Sequence, residues 1–187
     1  ASSTDLGVVH NKRKLKLTNL LSLHLVKELY EIKETDGNII VGARVSLTEF
    51  RHYLKHNIKE FAHYLDVFAS PQIKNIATVV GNVANASPIG DLPPALLAIR
   101  ANAIIKGPTA QRIIALEDFF LDYRKTDLKS NEIITAISFE KPDKNLFIRL
   151  FKNSNRKDLD ISAVNLALVY NNVFTIAAGG VAAIPLR

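Results

Sequence analysis

The chain has 187 residues, 48% hydrophobic and 22% charged, the make-up of a folded globular domain rather than a disordered one. It contains no Cys, which excludes disulfides, thiolate metal sites, iron–sulfur ligation and thiol nucleophiles together. Redox chemistry would then reside on a bound organic cofactor or on a partner. The net charge of +6 and pI of about 9.5 raise nucleic acid as a partner. The one dense basic cluster, however, is Lys12, Arg13, Lys14 and Lys16, and the other cations are scattered among acids. That pattern reads as a solvated face, with no nucleic acid as partner. A cofactor diphosphate or an acidic partner subunit accounts for the charge equally well. No apolar run approaches the ~20 residues that cross a bilayer, and no signal peptide is visible. A soluble cytoplasmic protein with no membrane partner is the expectation. The lack of Met suggests a chain that begins inside a longer reading frame or after processing.

In chain order, Lys27 to Glu34 and Asn38 to Ala43 are apolar-rich runs around Asp36-Gly37, which predicts a hairpin. Ser46 and Glu49 form a Ser-x-x-Glu capping box. Phe50, Tyr53, Leu54, Phe61 and Leu65 follow at helical spacing, so 47–66 is expected to be mainly helix. The stretch 69–91, rich in Ser, Asn, Gly and Pro, reads as loop. Pro93 and Pro94 open a short helix through Arg100, with Asp91 near its N-cap. Strands are predicted over 103–106, 111–116 and 132–140, with a helical turn at 117–120. Asp143–Asn145 marks a turn and a subdomain boundary. Three further strands are predicted over 147–153, 161–170 and 173–179. Strands and helices mix without alternation, which points to an α+β fold.

The segment Thr78-Val-Val-Gly-Asn-Val-Ala-Asn-Ala-Ser-Pro-Ile-Gly-Asp91 is the most informative. Gly and small side chains let backbone N–H groups approach a phosphate, and Thr, Asn and Ser add neutral donors. An ionised Asp91 accepts hydrogen bonds only, as a sugar hydroxyl would require. No Gly-x-Gly-x-x-Gly or Walker pattern occurs, and a structural loop ending in an Asp N-cap explains the same residues. Arg156, Lys157, Asp158 and Asp160 suit an ion-pair cluster, with a solvated loop as the plainer reading. His52 and His56 share a helix face without a third ligand for a metal.

The segment Ala69–Asp91 also closely resembles the second flavin-binding loop of the molybdenum hydroxylases, the family of xanthine dehydrogenase and the medium subunit of carbon monoxide dehydrogenase. Glu117-Asp-Phe-Phe, Tyr123-Arg-Lys-Thr, Glu132-Ile-Ile, the run Phe151–Ile161 and Ala178-Gly-Gly-Val-Ala follow in the family's order. Ala1–Gly7 resembles the first flavin-binding loop. The resemblance implies a vanillyl-alcohol-oxidase-type (PCMH-type) FAD-binding domain over 1–142, followed over 146–187 by the start of the flavoprotein C-terminal subdomain. It implies an electron-transfer module in which FAD passes electrons from an iron–sulfur centre to NAD. Molybdopterin and the 2Fe-2S cluster would lie on other domains or subunits. Ser3, Thr4 and Asp5 would line the diphosphate with Thr78, Gly81, Asn82 and Asn85, and Asp91 would accept from a sugar hydroxyl. Phe68 would pack along the cofactor, Ile134 against its adenine end, and Lys152 near the flavin.

The chain departs from the family at Val80 and Ser2, where Gly is usual. A β-branched Val80 would be strained at positive φ, and its side chain would enter diphosphate space. Against the family pattern, the 187 residues would lack the strand–helix–strand unit before the first loop and most of the C-terminal subdomain, so apolar surface is expected to be exposed. The alternative reading is a truncated remnant that holds no flavin.

Overall fold

The structure, a computed structural model, describes residues 3–13, 18–143, 145–157 and 159–187. Ser2, Lys14, Lys16 and Asp158, which enter the reading above, lie outside the described residues, as does Lys144 in the boundary turn.

The chain opens with helix α1 (Thr4–Arg13) and, after a 3-10 turn at Lys27–Tyr30, enters the hairpin of β1 (Ile32–Thr35) and β2 (Asn38–Gly42). Its two connecting residues, Asp36 and Gly37, have φ of 51° and 76°. A two-residue turn with both φ positive has the twist that matches paired strands. Helix α2 (Leu47–Asn57) carries the predicted capping box: Ser46 accepts from the Glu49 N–H, and the Glu49 carboxylate accepts from the Ser46 N–H at 2.8 Å. The stretch 47–66 is mainly helix, as expected, with one interruption. The Asn57 side chain donates to the Tyr53 carbonyl at 2.9 Å, Ile58 leaves helical geometry, and α3 (Lys59–Tyr64) restarts the path. An Asn that satisfies a backbone acceptor from its side chain is a ready helix end.

The stretch expected as loop contains two short helices, α4 (Pro71–Lys74) and α5 (Val79–Ala84). Each has a hydroxyl cap: Ser70 accepts from the Ile73 N–H, and Thr78 from the Gly81 N–H at 3.0 Å. Composition alone hides such single turns because Gly, Asn and Ser are poor helix formers overall yet frequent at ends. Helix α6 (Leu92–Ala98), strands β3 (Asn102–Lys106) and β4 (Gln111–Ala115), helix α7 (Leu116–Phe119) and, after an unpredicted hairpin of β5 (Phe120–Asp122) and β6 (Lys125–Thr126), strand β7 (Ile133–Glu140) follow, the predicted ones close to their expected positions.

These strands form an antiparallel five-stranded sheet, in the order β1-β2-β7-β3-β4. Ile39, Val41, Ile105, Ile137 and Phe139 from the sheet share one core with Phe50, Leu54, Phe61, Val83 and Leu96 from the helices. Phe50 is fully buried and meets Phe61 and Phe139 edge-on at 5.6 and 6.4 Å between ring centres.

The last three strands, β8 (Phe147–Ser154), β9 (Ser162–Asn171) and β10 (Val173–Gly179), make a second antiparallel sheet in the order β10-β9-β8. One face, with Ile148, Ala167, Val169 and Ala177, packs toward α3 and α6 and is buried. The other presents Phe147, Tyr170 and Phe174 in one cross-strand row, with Ile176 and Phe151 nearby, all exposed. Apolar surface is therefore exposed, as expected. Among the described residues, no helix is long and apolar enough to cross a membrane.

Candidate functional site

The loop from Ala77 to Asp91 is anchored before it offers anything to a ligand. The Thr78 backbone bridges to Ser46, its hydroxyl caps α5, and only 2% of the residue is exposed. Val80 lies within α5, is absent from the positive-φ residues and is buried in the core cluster. The expected strain at Val80 is thus not realised, because a helical turn suits any L residue that packs inward. Gly81, Asn82 and Asn85 remain partly exposed on the same turn. The Asn82 Oδ1 accepts from the Leu92 N–H at 3.4 Å, which ties the loop to the start of α6.

Among the described residues, a side-chain hydrogen bond links the N-terminal segment to this loop. The Asn85 Nδ2 donates to the exposed Asp5 carboxylate at 3.4 Å. Ser3, with φ of 60°, accepts from the Gly7 N–H at 2.7 Å as α1 begins. Ser3, Thr4 and Asp5 are thereby brought to the Asn85 end of the α5 turn.

Asp91 occupies the predicted N-cap position of α6, but its side chain makes no capping bond. Its carboxylate turns inward. Oδ2 accepts from the Lys152 Nζ at 2.8 Å, while Oδ1 accepts from the Ser162 hydroxyl and from the Asn165 Nδ2 at 3.4 Å. Both side chains of the Asp91–Lys152 pair are over nine-tenths buried. Three protein donors thus occupy an acceptor that the sequence assigns to a sugar hydroxyl. A buried pair of charges is sustained only when its remaining valences are also satisfied. The Lys152 ammonium lies 5.9 Å from the centre of the buried Phe68 ring. Tyr64, also buried, donates its hydroxyl to the Asp91 carbonyl at 3.1 Å. Burial and then the Asp91 charge push its phenol up, so it stays protonated and remains a donor.

Next to this group, a crevice of about 260 Å³ runs between α3 and β8, lined by Tyr64, Val67, Leu150, Lys152, Ser154 and Lys157 among others. A slightly larger one, about 290 Å³, lies at the seam of the two sheets, and none of the predicted site residues lines it. Ile134 stands apart, buried on β7 opposite Ile105. The predicted residues therefore fall into an N-terminal group around Asn85, an inner group of Asp91, Lys152 and Phe68, and Ile134 alone.

Tyr64, Ser162 and Asn165 belong to the inner group and carry no sequence motif. The available signal was a polar residue at an inward position of the otherwise apolar strand β9. Asn165 is 1% exposed, and its Oδ1 has no hydrogen-bond partner among the described residues. Elsewhere, Arg156 and Asp160 form an ion pair at 3.2 Å, the cluster reading of that loop rather than the plainer one. Among the described residues no cluster of three or more His, Asp or Glu could hold a metal.

The family profile described as the FAD binding domain in molybdopterin dehydrogenase matches residues 1–141. The chain belongs to this family. Xanthine dehydrogenase 2 of Arabidopsis thaliana is 32% identical over 207 residues, 99% of this chain, and xanthine dehydrogenase of Emericella nidulans is 32% identical over 178 residues, 89% of this chain. The chain spans about 15% and 13% of the length of these relatives. The structure of carbon monoxide dehydrogenase from Hydrogenophaga pseudoflava superposes with a TM-score of 0.92 at 24% identity, covering 100% of this chain and 68% of that one. Quinoline 2-oxidoreductase from Pseudomonas putida 86 gives 0.88 at 22% identity, with 99% and 67% covered. The α+β architecture is that of the FAD-binding domain of the molybdenum hydroxylases.

The residues present suit such a cofactor. The α5 turn offers neutral donors without crowding side chains, and the inner group offers an aromatic wall and a fixed ammonium.

Proposed function

We propose that this chain is the flavin-holding, electron-transfer part of a xanthine dehydrogenase-like, molybdopterin-dependent oxidoreductase. What supports this most is the family match over residues 1–141, which takes in both loop regions and every strand of the five-stranded sheet. Bound FAD would supply the redox chemistry that a Cys-free chain lacks. Ser3, Thr4 and Asp5 would lie along the diphosphate with Thr78, Gly81, Asn82 and Asn85. Of these, Gly81, Asn82 and Asn85 present the open surface, whereas the Thr78 hydroxyl is already used within the protein. Phe68 would wall the cofactor and Ile134 would meet its adenine end. Lys152 would stand near the flavin as half of an ion pair rather than as a lone cation, with Asp91 as its counter-ion. In this reading 1–142 is the FAD-binding unit and 146–187 opens the second subdomain. Electrons would arrive from an iron–sulfur partner, NAD would be the acceptor, hydroxylation would occur at a molybdenum-binding partner, and the setting would be cytoplasmic.

A second reading, a remnant of the family that holds no flavin, draws on the same geometry, since Thr78 and Asp91 are both satisfied internally. A visible absorption spectrum of the purified chain, before and after FAD addition and desalting, separates the two. Near-stoichiometric retained flavin is expected. A colourless protein with no thermal shift in excess FAD would leave only the second reading.

A further inference from the structure

We propose that Ser162 and Asn165, both on β9, are positioning residues that act through Asp91 to hold the Lys152 ammonium beside Phe68. The proposal rests on the FAD reading for its purpose, though not for its geometry.

Neither residue lines the crevice over Lys152. Their reach into it is indirect and runs through one carboxylate. Lys152 takes Oδ2 of Asp91, while Ser162 and Asn165 take Oδ1. Donors on Oδ1 fix the plane of the carboxylate, so that Oδ2 faces Lys152. A lysine stem has four rotatable bonds, and without a fixed counter-ion its ammonium favours water, here the mouth of the crevice.

The backbone under Asp91 is pinned from the same sheet. The Asn165 Nδ2 donates to the Gly90 carbonyl at 3.0 Å, and the Gly180 N–H donates to the Pro88 carbonyl at 2.8 Å. The Tyr64 hydroxyl adds a third anchor at the Asp91 carbonyl. Three carbonyls of the 88–91 segment are thus held by groups outside it. Gly179 makes room for this, since a Cβ there would come within 2.2 Å of the Asn165 Oδ1. The end of the cofactor loop is therefore shaped by residues more than seventy positions later.

The test uses the 187-residue chain as wild type, Ser162→Ala, Ser162→Thr and Ser162→Cys. Lysines are acylated briefly without FAD and modification is mapped by peptide mass spectrometry. Lys74, which donates to the Leu65 and Asp66 carbonyls, serves as the internal reference. Losing one donor to a charged acceptor should raise Lys152 labelling relative to Lys74 by about tenfold in Ser162→Ala. Ser162→Thr should restore it, and Ser162→Cys, a weaker donor of similar size, should fall between. A merely structural role would raise both lysines together. With FAD added, Ser162→Ala should bind it more weakly and displace the visible bands of the bound flavin, and Ser162→Thr should reverse both. Lys152 labelling unchanged in Ser162→Ala and Ser162→Cys overturns the proposal, whether or not flavin binds. Failure of the wild type to hold FAD, with the labelling pattern intact, counts instead against the FAD reading and leaves the positioning geometry standing.

Discussion

Arg112 grips Glu132 with two parallel bonds, Nε to Oε1 at 2.9 Å and Nη2 to Oε2 at 2.7 Å. The same guanidinium bonds the Asp127 carboxylate and, at 2.8 Å, its carbonyl. This fork closes the 127–132 segment just before β7, the strand that carries Ile134.

The Arg112 bonds, with the Lys129 N–H, hold the Glu132 carboxyl down to about 2, from an ordinary value of 4.5. A depressed folded-state value contributes stability above the unfolded value, and that stability is lost as pH falls through the folded one. The stability gap between wild type and Glu132→Gln, read as urea midpoints, should be full at pH 6 and close between about pH 4.5 and 2. A gap that stays constant over that window would show that Glu132 is not held by its charge.

Ser46 caps α2 from both directions of the capping box. Ser46→Ala should cost about 1 kcal/mol, the usual loss for such a cap. Chemical denaturation of the two proteins checks this, and an unchanged midpoint would mean that water replaces the hydroxyl without loss.

Phe50 is fully buried between Phe61 and Phe139. Phe50→Ala removes a ring from the centre of the larger core and should cost about 3–5 kcal/mol. Phe50→Leu, which keeps most of the volume, should cost distinctly less. Equal losses from the two would imply that the surrounding side chains collapse into the space.

Gly179 has no room for a side chain, because the Asn165 amide and the Pro88 carbonyl, at 2.2 and 3.0 Å from the would-be Cβ, already fill it. Gly179→Ala should lower the melting temperature and loosen the loop ending at Asp91, which hydrogen exchange at Gly90 would report. An alanine tolerated with unchanged exchange would mean that the loop shifts away from the three-stranded sheet without loss.

Much of this was legible in the sequence where the signal is local. The Asp36-Gly37 hairpin, the Ser46–Glu49 cap and the strand positions follow from turn chemistry, capping and period, which act within a few residues. What was not legible depended on distance or competition. The break at Ile58 arises because Asn57 captures the Tyr53 carbonyl within an otherwise unbroken apolar period. Helices α4 and α5 were hidden by a loop-like composition, although Ser70 and Thr78 are each followed by the start of a turn they cap. Asp91 was recognised as important, but its partners Ser162 and Asn165 lie 71 and 74 residues away, and no local rule links them. The positive φ that would strain Val80 does not occur, for a related reason: its backbone geometry is set by the helical turn.

Strand β9 carries two unlike surfaces on alternate residues. Asn165, Ala167 and Val169 face the helices, while Val164, Leu166, Leu168 and Tyr170 lie toward the open side. With a side-chain period of two, inserting or deleting one residue within it would exchange the faces. Val164 or Leu166 would then stand where the amide meets Asp91, and the amide would point to the open side. β9 should consequently tolerate many single substitutions on its open face yet no length change, which makes it a poor place for a tag or a domain insertion.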